Sequence, residues 1–124
     1  MSMRKPAFGL LHQLAGLIAR AASIGLFLFW GAFFVEHLAW FTQSQAWPPP
    51  EVWALQGLHL TLLAGYVLAL MWDRLGCVLI AVGAILFFGL NGGANALLFA
   101  LVSLTPIPFY VVARINRPTL PAGR

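Results

Sequence analysis

The sequence predicts an all-α, polytopic membrane protein built as a bundle of four transmembrane helices, and three observations predict it. Of its 124 residues, 61% are hydrophobic and only 8% charged, with a mean hydropathy of +0.89, whereas a soluble domain carries roughly a quarter charged residues. Four apolar runs, 21–42, 52–72, 75–91 and 94–113, approach or exceed the roughly 20 residues that cross a bilayer. Finally, all seven basic residues fall on one side of the topology these runs imply.

Residues 1–20 hold Arg4, Lys5 and Arg20 around the apolar stretch "PAFGLLHQLAGLIA" at 6–19. This stretch fits an N-terminal interfacial helix or a cytoplasmic extension of the first span. The first span ends at "TQSQAWPPPE", the second at "DR" (73–74) and the third at "NGG" (91–93), each a set of helix breakers. Within the fourth, "TPIPF" places Pro106 and Pro108. They deprive the carbonyls of Val102 and Leu104 of their usual donors, so a kink with those carbonyls satisfied locally is expected. Residues 114–124 form a basic tail. The triplet Ser44-Gln45-Ala46 has the form of a signal-peptide cleavage site. Cleavage is not expected there, because Arg20 lengthens the n-region and Glu36, His37 and Trp40 interrupt the approach.

The charges set an orientation. With the N-terminus in the cytoplasm of a bacterial inner membrane, Arg4, Lys5, Arg20, Arg74, Arg114, Arg117 and Arg124 are all inside, and the two outer loops have no basic residue. The C-terminus is then cytoplasmic too. Trp40, Trp47 and Trp53 gather at the outer interface and Trp72 and Tyr110 at the inner one, as aromatic belts do. These charges flank spans and form no basic face, which argues against nucleic acid as a partner. Cys77 is the only cysteine, so no intrachain disulfide or thiolate cluster can form and a small packing role is expected.

The second span carries two stripes. Gly57, Thr61, Gly65 and Ala69 recur every four residues, a ridge that lets another helix approach closely. Gln56, His59, Tyr66 and Asp73 form a polar stripe on another face. Both need partners, so this helix is expected to sit centrally in the bundle.

Helix rise places the polar residues. Glu36 lies 16 residues beyond Arg20, about 24 Å up at 1.5 Å per residue. His59 stands about 21 Å from Asp73, and Asn91 about 24 Å from Leu75, by the same rise. Gln56, His37 and Asn95 belong near that level, so a polar layer is expected in the outer leaflet. An unpaired carboxylate is expensive in hydrocarbon. Glu36 is therefore expected to face the interior, and the simplest reading is a hydrogen-bond network holding the helices in register. Glu36 and His37 point about 100° apart, so they should have different partners.

Several chemistries are open to such a layer. His37 and His59 could ligate haem or a chlorophyll-type pigment, since their depths nearly match. Phe33 and Leu55, one turn before each histidine, would crowd a macrocycle. Metal hydrolysis is poorly supplied, with Glu36, His37 and His59 as the whole ligand stock and no HExxH or GxSxG motif. Proton or ion conduction could use Glu36 with a histidine, but the inner half offers only Ser23, Tyr66 and Ser103 as polar stations. The favoured expectation is a non-enzymatic accessory or assembly subunit of a larger membrane complex, or a homo-oligomer, in contact with membrane lipids and holding a lipid or quinone-like ligand.

The pattern of Arg20 before the first span, "FFVEHL" at 33–38, "GYVLALMWDRLG" at 65–76 and a proline-containing last span resembles a family of short bacterial and archaeal membrane proteins known only as a domain of unknown function. The resemblance covers most of residues 20–113. It implies a four-helix membrane fold and makes Glu36 and Asp73 family positions, without supplying an activity. The triple-proline loop and "NGGAN" do not belong to the pattern.

Overall fold

The computed structural model describes residues 4–43, 47–91 and 93–117, with side chains from residue 9 and omitting those of 40–43. The triplet at 44–46, Gly92, Arg124 and the side chains of Arg4, Lys5 and Trp40 lie outside the described residues.

Helix α1 spans Arg4–Gln43, 40 residues without a break, or about 60 Å at the α-helical rise. Pro6 falls in the first turn, where its missing N–H is not needed. Nothing else in 6–19 stops a helix, so this stretch continues the first span rather than forming a separate interfacial helix. Helix α2 spans Pro50–Ala69. Pro49 is extended and caps it, Pro50 opens it, and Glu51 sits favourably in the first turn. It ends before residue 72, because the chain tightens through Leu70–Trp72 and the N–H groups of Met71 and Trp72 both bond Leu68 O. Helix α3 spans Asp73–Asn91, with an acid in its first turn.

The fourth span is broken. A 3₁₀ turn at Gly93–Asn95 leads into α4 (Ala96–Ser103) and α5 (Pro106–Ile115). Gly93 adopts φ +57°, a left-handed conformation that glycine takes without a steric cost. At the prolines, Thr105 N–H bonds Val102 O at 3.2 Å and Ile107 N–H bonds Leu104 O at 3.0 Å. Both carbonyls that the prolines abandon are thus satisfied by shorter-range donors, as the spacing of Pro106 and Pro108 predicts.

These elements close into a ring in which α1 packs on α2 and α5, α2 on α3, and α3 on α4 and α5. All four spans are long and apolar enough to cross a membrane. Leucines at 17, 28, 60, 90 and 97 are exposed on the outside. Apolar surface on the exterior of every span is the signature of helices solvated by lipid. The protein is a multi-pass, four-helix membrane bundle. Arg74 lies at the α2–α3 turn, Arg114 and Arg117 lie at the end of α5, and Arg20 shares a cavity with Arg117. The bundle therefore has one basic end.

The tightest seam joins α2 to α3. A Cβ placed on Gly76 would lie 2.2 Å from Ala69 Cα, one on Gly83 would lie 2.8 Å from Leu62 N, and one on Gly65 would lie 2.7 Å from Ile80 N. Only the lower half of the Gly57, Thr61, Gly65, Ala69 ridge is used. Around Gly57 a Cβ would meet nothing within 4 Å, and Thr61 donates its hydroxyl to Gly57 O at 2.8 Å. The matching surface is supplied by Gly76 and Gly83 of α3, which the α2 pattern alone does not reveal. Nor is α2 central. Its main neighbours are α1 and α3, and Leu60 and Val67 remain exposed on its outer side.

Candidate functional site

At the end of the bundle opposite the arginines, His59 is buried on α2, 2% exposed. Its ring packs between Phe34 of α1 (centroids 5.2 Å apart) and Phe87 of α3 (4.8 Å). Its Nε2–H donates to the carbonyl of Trp30 at 3.0 Å. His37, one turn from Phe33 along α1, donates Nδ1–H to Phe33 O at 2.7 Å. The two imidazoles face each other with centroids 6.3 Å apart and planes at 74°. A carbonyl only accepts, so each bonded nitrogen carries the proton. In the neutral rings, His37 Nε2 and His59 Nδ1 then bear lone pairs.

Both histidines line two adjoining cavities. The first, about 120 Å³, is bordered by His37, Gln56, His59 and Asn91 with Val52, Leu55 and Phe87. The second, about 220 Å³, shares His37, His59, Phe87 and Asn91 and is otherwise walled by Phe29, Trp30, Phe33, Phe88 and Phe99. Gln56 Oε1 is buried with no hydrogen-bond partner among the described residues, and an acceptor in that state costs about 1–3 kcal/mol. The polar cavity thus holds an unpartnered acceptor on Gln56, and the aromatic chamber beside it is lined by Trp30, whose buried Nε1–H donor also has no partner among the described residues.

Four members of the expected polar layer, His37, Gln56, His59 and Asn91, therefore come together. Two do not. Glu36 is exposed on α1 and makes no hydrogen bond or ion pair among the described residues. It cannot anchor a register-holding network. Asn95 is exposed at the end of the 3₁₀ turn, caps α4 without a side-chain bond and lines neither cavity. Helix rise predicts the height of a side chain but not its direction, and both residues are turned outward. The chamber-forming aromatics were not singled out from the sequence. Their signal is the density of rings in "FLFWGAFF" (27–34) opposite Phe87-Phe88.

The geometry also bears on metals and protons. No group of three or more metal-ligating side chains occurs among the described residues. Ligation of haem by His59 through Nε2 would break its bond to Trp30 O and displace the phenylalanines on its ring. The inner polar stations close on themselves: Tyr66 OH donates to Ser103 O at 2.9 Å, and Ser23 Oγ pairs with Tyr110 OH at 2.9 Å. Neither pair hydrogen-bonds to a histidine.

With the fold and this pocket in view, comparison with known proteins finds no match among family models, curated proteins or solved structures.

Proposed function

We propose that the protein is a non-enzymatic membrane subunit, acting within a larger assembly or as a homo-oligomer, that holds a small amphipathic ligand in the two-histidine pocket. The observation that carries this reading is the junction of a polar cavity with an aromatic chamber. Ligand sites are typically apolar with a few placed polar groups. Gln56 Oε1 and Trp30 Nε1–H are buried without a partner among the described residues, one an acceptor and the other a donor. The ligand they suit therefore carries a hydroxyl or carbonyl group with a ring or chain to bury, such as a quinol or a lipid with a hydroxylated headgroup. The positive-inside pattern supports an orientation with both termini cytoplasmic in a bacterial inner membrane, which would set this pocket in the outer leaflet.

Native mass spectrometry of the protein, gently extracted from its own membranes, tests this. Added small-molecule mass that disappears in Gln56→Leu supports ligand holding, and release within a heavier heteromeric particle supports the accessory role. A bare 13.5 kDa chain or its simple multiple would defeat the ligand reading. The second reading, haem or pigment bound by His37 and His59, draws on the facing imidazoles. It requires a visible absorption band lost in His37→Ala, and a colourless protein ends it. Proton conduction is the third reading, and the closed inner pairs weigh against it.

A further inference from the structure

The basic end of the bundle holds a cavity of about 360 Å³ between α1, the α2–α3 turn and α5. We infer that it is a binding site for a phosphate-bearing anion, the headgroup of an acidic phospholipid or a free phosphate, gripped by Arg20 and Arg117.

Arg20 of α1 and Arg117, just beyond the end of α5, both line the cavity together with His12, Gln13 and Tyr110, and Asp73 is the single acid on its wall. Arg20 makes no hydrogen bond or ion pair among the described residues. Arg117 meets Asp73 only at 3.9 Å, with the arginine side chain 63% exposed, and a pair so long and open holds it weakly. His12 gives its Nδ1–H to Ala113 O, which fixes the ring against α5. Gln13 adds an amide donor. Each guanidinium is a planar, multidentate donor of the kind that matches phosphate oxygens, and two of them line this polar cavity. Basic pockets between transmembrane helices at the cytoplasmic side bind acidic headgroups by this chemistry. The rim favours the lipid source, since Leu17 and Met71 line the same cavity and are largely exposed, in position to meet an acyl chain. Asp73 limits the site, because it competes with the anion for Arg117.

The test uses the full chain in nanodiscs of phosphatidylglycerol and phosphatidylcholine in equal amounts, with retained lipid read by native mass spectrometry. Phosphatidylglycerol should be retained preferentially. Arg20→Gln should cut that preference about fivefold, the worth of one basic residue near an anionic surface. Arg20→Lys should keep most of it, and Asp73→Asn should raise it. Arg74→Gln, at the same end but outside the cavity, should leave it unchanged. In a second arm, inorganic phosphate is titrated into protein in neutral detergent. Saturable binding lost in Arg20→Gln, without a lipid preference, identifies the free anion as the source. Equal retention of both lipids with no phosphate binding overturns the site, as does an equal loss in Arg74→Gln and Arg20→Gln. If Arg20→Gln fails to fold, Asp73→Asn decides: a preference that does not rise removes the proposed role of Arg117.

Discussion

The hydroxyl of Tyr66 on α2 donates to the backbone carbonyl of Ser103 at the end of α4, 2.9 Å away, and the proline break is why that carbonyl is free. In a continuous helix, Ser103 O would take the N–H of Ile107. Here Ile107 turns to Leu104 O instead. A side chain from another helix thus completes a backbone bond that the kink gives up, which is how transmembrane helices tolerate such breaks. Tyr66→Phe removes the hydroxyl donor and leaves the buried Ser103 carbonyl without it, so stability should fall by about 1–3 kcal/mol. Denaturant unfolding in detergent micelles checks this, and an unchanged midpoint would mean that another donor takes over.

Gly76→Ala should be among the most damaging small substitutions in the chain. Its new methyl would meet the Ala69 backbone at 2.2 Å, and backbone cannot rotate away. Overpacking usually costs about 1–3 kcal/mol and occasionally more. Gly57→Ala is the control, with open space around its Cβ. It should be neutral or slightly stabilising, since a glycine inside a helix gives up about 0.5–1 kcal/mol relative to alanine. Thermal melts of both variants, side by side, separate the two sites.

The two histidines should behave differently. His59→Ala opens a hole between Phe34 and Phe87 and strips Trp30 O of its extra donor, so a loss of about 2–5 kcal/mol is expected, as for other large-to-small core changes. His37 is exposed, and His37→Ala should leave stability within about 0.5 kcal/mol while reducing ligand retention. Equal destabilisation by both variants would place the pair in the core and remove the pocket's ligand role.

Glu36→Gln should change neither unfolding nor bound mass, because the carboxylate is exposed and unpaired among the described residues. Proteoliposomes carrying a pH-sensitive dye give the counter-test. Proton flux present in the parent and absent in the glutamine variant would make Glu36 a conducting group, against this expectation.

Much of this bundle is legible in the chain. Span number, loop positions and the re-satisfied proline kink follow from local chemistry: apolar length, helix breakers and missing N–H groups. What the sequence withholds is rotation and register between helices. The Gly57–Ala69 ridge is readable on α2, but which half of it meets Gly76 and Gly83 depends on how the α2–α3 turn winds. His59 and Glu36 look equally buried by depth, and only the azimuth of each helix sends one inward and the other out. The cavity at the basic end was hidden for a related reason. Its floor residues His12 and Gln13 belong to the part of α1 below Arg20, a stretch whose packing partner, α5, lies a hundred positions away.

That last separation bears on how the protein is made. Helix α1 leaves the ribosome well before α5, one of its principal partners. The α2–α3 hairpin, joined by a three-residue turn, can zip as soon as it enters the bilayer, because short loops close readily. During synthesis, then, the lower flank of α1 must wait in lipid, alone or chaperoned, until α5 arrives. A ribosome stalled before residue 106 would leave that flank uncovered, and crosslinking such a nascent chain would catch whatever covers it in the meantime.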